Sequence, residues 1–462
     1  MAQQPQEASR HVPADQSLFF PPGFLWGVAT ASHQYEGGNT NNQWYDWEQR
    51  GHIKTGDTCG LACDWWGQHA EHDFDRAQHM GLNALRLSLE WSRIEPQPGQ
   101  WNTQAISRYR HMLIGLRSRG IEPLVTLHHF THPIWFEKRG AFRSSDAVEH
   151  FTRYVTHAVE ALGDLCDFWC TINEPNIYST FGYELADFPP GLKGDAIGAV
   201  RVQATMARAH AAAYHAIHRL QPHARVGWSQ HYNVFDPANP NSPLDRLVAG
   251  LQDAAFNDFF TRAIHTGEAV FPFNLFAGDL RGVRGTCDYV GINVYYRALV
   301  SFDLRYPFQL FGHNYARPGS PQGDQPIGTP FTEVSPFSIS RVASRVAALG
   351  KPIYVTENGV ADAADHIRPW LLVEAARTMH DVIAAGVDLR GYFHWSLVDN
   401  FEWAEGWRLR FGFFHLDPQT QVRTPRPSAA LYAAIAQANG LTPDIIATVA
   451  DSSGSLWLSR AG

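Results

Sequence analysis

Two short runs in this chain set a carboxylate where bond-breaking chemistry could use one. Thr171-Ile172-Asn173-Glu174-Pro175 and Thr356-Glu357-Asn358-Gly359 each place a glutamate at the end of an apolar stretch. Two carboxylates facing each other across a cleft are the apparatus of glycoside cleavage: one protonates the leaving oxygen, and the other attacks or activates a water. A glutamate taken alone is more often a helix-entry or salt-bridge residue, but position and company weaken that reading here. Pro175 disfavours the helical conformation at Glu174 and is expected to leave it extended. Gly359 permits a sharp turn behind Glu357 and Asn358. Both carboxylates are thereby expected on rigid strand ends.

That placement requires strands that end at one common mouth. Eight runs qualify, at residues 24–32, 84–91, 122–129, 167–174, 225–231, 288–296, 352–358 and 390–399. Each is short and rich in Val, Ile, Leu and aromatics, as strands buried on both faces are. Helical patterns separate them, at 103–119, 148–162, 199–220, 338–349, 370–385 and 428–438, with Gly120 and Gly350 as stop signals. The alternation predicts an α/β chain folded as a single (β/α)8 TIM barrel with long βα loops, whose chemistry lies at the C-terminal ends of the strands. The fourth and seventh strands are three places apart around such a ring, so their ends form near-opposite walls of one cavity. No fixed-period repeat and no linker divides the chain. The expected organisation is a flexible tail at 1–17, the barrel at 18–445 and a C-terminal extension at 446–462. A Pro-rich stretch at 301–336 is read as a surface loop that also roofs the mouth.

Composition narrows the function classes. The chain has 462 residues, 37 Lys and Arg against 45 Asp and Glu, and a net charge of −8. A mildly acidic balance without a basic block argues against nucleic acid or an anionic membrane as partner. Hydrophobics at 44% and charged residues at 18% exclude intrinsic disorder. No apolar run is long enough to span a bilayer. Five cysteines make no disulfide framework, and the polar start has no signal-peptide pattern, so a reducing, cytoplasmic setting is expected. The C-x3-C pairs Cys59/Cys63 and Cys166/Cys170 lack the usual zinc spacing. His128, His129 and His132 cluster without an H-E-x-x-H pattern. Nucleotide-binding glycine motifs and the G-x-S-x-G elbow are absent, so no metal and no cofactor is expected. Fifteen tryptophans point softly toward sugar stacking.

Longer runs carry a resemblance. They are F-L-W-G-V-A-T-A-S-H-Q-Y-E-G from Phe24, L-R-L-S-L-E-W-S-R-I-E-P from Leu85, T-I-N-E-P, G-I-N-V-Y-Y from Gly291, T-E-N-G, and W-S-L-V-D-N-F-E-W from Trp395. In this order and spacing the chain resembles the glycoside hydrolase family 1 β-glycosidases, the β-glucosidase family, from about residue 20 to 441. The resemblance implies Glu174 as acid/base and Glu357 as nucleophile. It implies Arg86 and Tyr295 beside that nucleophile, with Arg86 keeping it ionised and Glu174 holding its proton near neutrality. It implies Gln34, His129, Asn173 and Glu402 as readers of sugar hydroxyls, Asn173 at the 2-hydroxyl, with Trp395 and Trp403 lining the ring. A charged Glu402 would repel a 6-phosphate and favour a neutral glycone. One departure stands out: Phe130 follows His129 where the family most often has Trp, which removes an indole donor and bears on the choice between glucose and galactose. The segment at 229–233 matches poorly, and nothing carries over there. The implied activity is retaining, exo-acting hydrolysis of terminal β-D-glucosyl residues from small glycosides and short oligosaccharides, with galactosidase and transglycosylation side activities. The rivals are an inactive sugar-binding protein on the same scaffold and an inverting hydrolase on a similar barrel.

Overall fold

The computed structural model describes residues 17–325 and 333–452. The expected tail up to residue 16, residues 326–332 of the long loop and residues 453–462 of the C-terminal extension lie outside the described residues. Eight strands run parallel: β1 (Leu25–Ala29), β2 (Ala84–Ser88), β3 (Glu122–His128), β4 (Phe168–Asn173), β5 (Arg225–Pro237), β6 (Tyr289–Phe302), β7 (Ile353–Asn358) and β8 (Leu389–His394). Each pairs with the next and β8 pairs with β1, so the sheet closes on itself. The predicted (β/α)8 barrel is the observed fold. Closure leaves neither face to water, and β2 accordingly is buried at every position, Arg86 included.

Helices α1 (Ala70–His79), α2 (Thr103–Arg117), α3 (Ala147–Leu162), α4 (Ala196–Leu220), α5 (Phe259–Thr266), α6 (Ser338–Val346), α7 (Arg368–Ala384) and α8 (Pro427–Ala438) surround the barrel. Local chemistry sets several of their ends. Asn102 Oδ1 accepts the N–H groups of Gln104 and Ala105 ahead of α2, and Asp195 Oδ1 accepts that of Gly198 at the start of α4. Pro427 opens α8, where a missing N–H costs nothing. Gly350 takes the left-handed turn (φ 64°) that ends the segment after α6. The alanines of α4, buried at Ala204, Ala207, Ala209 and Ala211 among others, allow close packing against α3.

The strands depart from expectation at their mouth ends. β1 stops at Ala29, and a one-turn helix, Ser32–Glu36, carries Gln34. β8 stops at His394, and residues 395–399 are irregular. β5 and β6 instead continue to Pro237 and Phe302 and remain paired there, Val234 with Arg297 through Pro237 with Val300. Gly312–Tyr315 and Glu333–Val334 add to this extension antiparallel. The stretch read as a loop at 301–336 therefore begins inside a strand. The extension is held by a small core of its own: Phe235, Ala298 and Val300 pack with Val248 and Ala249 of the helix Pro243–Asp253. At the other end of the chain, the helix Pro443–Ser452 straddles the expected barrel boundary at 445 and buries Ile445 and Val449 in the main core.

Candidate active site

All eight strands deliver polar or aromatic side chains to the same end of the barrel. Arg86 (β2), Asn293 and Tyr295 (β6) and Glu357 (β7) stand on strands; Glu174 and Trp395 follow directly on β4 and β8. A chain of hydrogen bonds joins the two carboxylates. Arg86 forms a close ion pair through Nη1 with Glu357 Oε1, and its Nη2 donates to Asn173 Oδ1 at 2.6 Å. Asn293 Nδ2 donates to Asn173 Oδ1 at 3.1 Å and to Glu174 Oε1 at 2.8 Å. Tyr295 O–H donates to Glu357 Oε2 at 2.8 Å. The guanidinium is fully buried, and a buried cation needs such partners: Glu357, Asn173 and Thr126 Oγ1 supply them.

Electrostatics act on Glu357 in two directions. Burial, reinforced by the facing Glu174 charge, pushes the Glu357 carboxyl up to about 7, although Arg86 and Tyr295 pull it down. The cation alone does not hold Glu357 in the ordinary carboxylate range, because the barrel excludes the water that would solvate its charge. The surroundings of the two carboxyls differ. Each Glu357 oxygen meets a donor, a setting suited to the ionised form. Glu174 Oε1 meets Asn293 and, at 3.2 Å, His231 Nδ1, while no partner meets its Oε2 among the described residues. That oxygen is open to carry a proton.

The backbone at Glu174 also departs from expectation. It is not extended but left-handed (φ 46°, ψ 60°), and Pro175 opens a short helix directly behind it. Its N–H donates to Ser229 O on β5 at 2.7 Å and its carbonyl accepts the Tyr178 N–H at 3.0 Å, so strand passes to helix in one residue. Phe130 (φ 67°) and Trp403 (φ 52°) are left-handed as well. Such conformations cost roughly 1–3 kcal/mol each and concentrate at functional sites.

Beside the carboxylates stand polar and aromatic side chains of the kinds that bind a polyol. Gln34 Nε2 donates to Asn400 Oδ1 and Phe401 O, both at 2.8 Å, and leaves Oε1 buried without a partner. Burial, with Arg86 nearby, holds His129 well below the usual imidazole range and therefore neutral. Its Nε2 lies 3.1 Å from Asn173 Nδ2 and accepts from it, so Nδ1 bears the hydrogen, again buried and unpartnered. One open acceptor and one open donor are what a sugar hydroxyl would satisfy. The rings of Trp395 and Trp403 stack on His129, each with centroids 6.0 Å away. Glu402 Oε1 accepts from Trp395 Nε1 at 3.0 Å. Phe130 stands 5.2 Å from Trp403 and 5.5 Å from Phe188, a wall without a donor.

Glu402 also bears on substrate class. Burial, with Glu357 and Asp399 adding to it, pushes its carboxyl up to about 8, which weakens charge repulsion as a reason to disfavour a 6-phosphate near neutrality. The donors to its carboxyl, Trp395 Nε1 and Gln34 Nε2, bring no positive charge.

The residues expected at the site are linked to one another by these hydrogen bonds and ring contacts, and two neighbours went unforeseen. Asn293 stands two residues before Tyr295 on β6, hence on the same strand face, and G-I-N-V-Y-Y could have flagged it. His231 lies in the segment that carried no motif, and only the packing of β5 beside β4 brings it to Glu174. Among the described residues, His33, Glu48 and Cys59 lie close enough together to hold a metal ion. Their polar atoms serve one another instead: His33 Nε2 meets Glu48 Oε1 at 3.0 Å and Glu48 Oε2 accepts the Cys59 N–H at 2.9 Å.

Comparison with known proteins gives the family. The family described as Glycosyl hydrolase family 1 matches residues 16–441. Beta-glucosidase A of Thermotoga maritima is 31% identical, over 91% of this chain and 98% of its own. A beta-galactosidase of Pyrococcus woesei is 30% identical, over 92% of this chain and 98% of its own. The structure of the Thermotoga maritima beta-glucosidase in complex with castanospermine superposes with a TM-score of 0.86 at 29% identity, covering 92% of this chain and 99% of that one. With the match spanning nearly the whole chain, the protein belongs to glycosyl hydrolase family 1.

Proposed function

We propose that this glycosidase is an exo-acting, retaining β-glucosidase that removes terminal non-reducing β-D-glucosyl residues from small glycosides and short oligosaccharides, with Glu357 as nucleophile and Glu174 as acid/base. The observation that carries the reading is the asymmetry of the pair: Glu357 is clamped by Arg86 and Tyr295, whereas Glu174 keeps Oε2 free. In the first step the C1–O bond to the leaving group breaks, C1 bonds to a Glu357 oxygen, and the proton of Glu174 passes to the leaving oxygen. In the second, Glu174 takes a proton from water as that water's oxygen bonds C1 and Glu357 departs. Asn173, fixed by Arg86, is suited to the 2-hydroxyl, where hydrogen bonds strengthen as positive charge develops. Gln34 and Glu402 close the glycone end, which supports exo action, and an alcohol in place of water would give transglycosylation. Relatives named for glucose and for galactose support β-galactosidase as a side activity.

The catalytic unit is taken from residue 18 through the helix Pro443–Ser452, past the expected boundary at 445, because Ile445 and Val449 lie in the main core. Five buried, free thiols support a reducing, cytoplasmic setting. The decisive experiment is trapping with a 2-deoxy-2-fluoro-β-glucoside bearing an activated leaving group, followed by peptide mass mapping. The expected adduct is on Glu357, and an adduct elsewhere rejects the assignment. Binding of glucosides without any release of nitrophenol from p-nitrophenyl β-glucoside would instead favour an inactive sugar-binding protein.

A further inference from the structure

We propose that His231 is a positioning residue for the acid/base, an inference that rests on the reading of Glu174 given above. His231 stands on β5, in register with Asn293 of β6. Its carbonyl is fixed by Asn176 Nδ2 at 2.8 Å. Nδ1 lies 3.2 Å from Glu174 Oε1. The ring faces that of Tyr295, with centroids 5.7 Å apart and planes 11° from parallel, and the edge of Phe256 closes the other side at 5.7 Å. His231 therefore touches the acid/base directly and packs on the hydroxyl donor of the nucleophile.

The chemical consequence follows from which oxygen is held. Oε1 receives Asn293 Nδ2–H and His231 Nδ1–H, so it serves as acceptor throughout, and the proton to be transferred is confined to Oε2. In the first step the Oε2–H bond breaks, the proton goes to the leaving oxygen, and a full carboxylate charge appears on Glu174. The hydrogen bond from Nδ1–H to Oε1 strengthens as that charge develops, which is stabilisation present mainly in the transition state. In the second step the water's proton returns to Oε2, and His231 ends unchanged. Among the described residues no arginine or lysine serves Glu174 in the way Arg86 serves Glu357, so Asn293 and His231 are what orient it.

The test separates protonation from mere support. His231→Phe keeps the stacked ring and removes the donor; His231→Asn restores an amide N–H close to the position of Nδ1. Folding of both variants is checked by thermal unfolding, and kcat/KM is measured across β-glucosides from 2,4-dinitrophenyl, which leaves without help, to alkyl, which must be protonated. A charge-assisted hydrogen bond predicts a loss of roughly 10- to 100-fold for the alkyl glucoside in His231→Phe. The loss should be under about 3-fold for dinitrophenyl, and His231→Asn should recover most of what was lost. Equal losses for both leaving groups, or no recovery by Asn, would overturn the inference while leaving the assignment of Glu174 intact. Failure of the wild-type protein to cleave any glucoside would overturn the functional reading, and this inference with it.

Discussion

Replacing Tyr295 by Phe removes one atom from the clamp on Glu357 and leaves the ring stacked on His231. The lost bond is 2.8 Å long, buried and made to a charge. Such bonds contribute about 1.5–3 kcal/mol, or roughly 10- to 150-fold in rate if fully expressed in the transition state. The same loss acts on titration. Tyr295 is one of the groups that lower the Glu357 carboxyl, which burial has already raised to about 7. Without the donor the ionised form is destabilised further, by about one to two pH units at ~1.36 kcal/mol per unit. The nucleophile works as the carboxylate, so the acid limb of kcat/KM for p-nitrophenyl β-glucoside should move to higher pH, and the bell should narrow from its acid side. The variant should therefore lose most near pH 6 and regain ground toward pH 8. The assay is a set of initial rates from pH 4.5 to 9 at substrate far below KM. A uniform loss at every pH, with the acid limb where it was, would refute the reasoning, because it would mean that Tyr295 does not contribute to the charge state of Glu357.

Three further outcomes are expected. Glu174→Gln should lower kcat/KM for alkyl glucosides by about 100-fold or more while barely changing that for 2,4-dinitrophenyl glucoside; comparable losses for both would argue against an acid role. Glu357→Gly should abolish hydrolysis and regain activity with azide, which fits the vacated space and yields the α-glucosyl azide; a β-azide product would contradict attack from the Glu357 side. Glu402→Gln addresses linkage. The Glu402 carboxyl is raised from 4.5 to about 8 in the folded protein, so its contribution to stability is fully present below about pH 4.5 and is lost as pH rises toward 8. Discounted for its partial exposure, the loss is about 1–2 kcal/mol. The variant should therefore melt about 1–3 °C above wild type at pH 8 and together with it near pH 4, as scanning calorimetry would show; a larger gain at pH 4 would reverse the sign argued here.

The sequence by itself determined the eight-strand alternation, because strand and helix periodicities are local, and it determined the two glutamates, because Asn173-Glu174-Pro175 and Glu357-Asn358-Gly359 are contiguous in the chain. It also named Arg86, Tyr295, Gln34 and His129, through motifs that resemblance could carry residue by residue. Three things were decided only by the tertiary structure. Glu174 turned left-handed where Pro175 suggested an extended backbone, since its N–H is claimed by Ser229 on the neighbouring strand. His231 met Glu174 across 57 residues of chain, a contact set by the pairing of β4 with β5 and by no local pattern. The charge states of Glu357 and Glu402 followed from burial and from one another, and so ran above what their nearest partners alone would give. A motif records which side chain occupies a position. The water excluded around that side chain, and the charges gathered there from other strands, exist only once the barrel has closed.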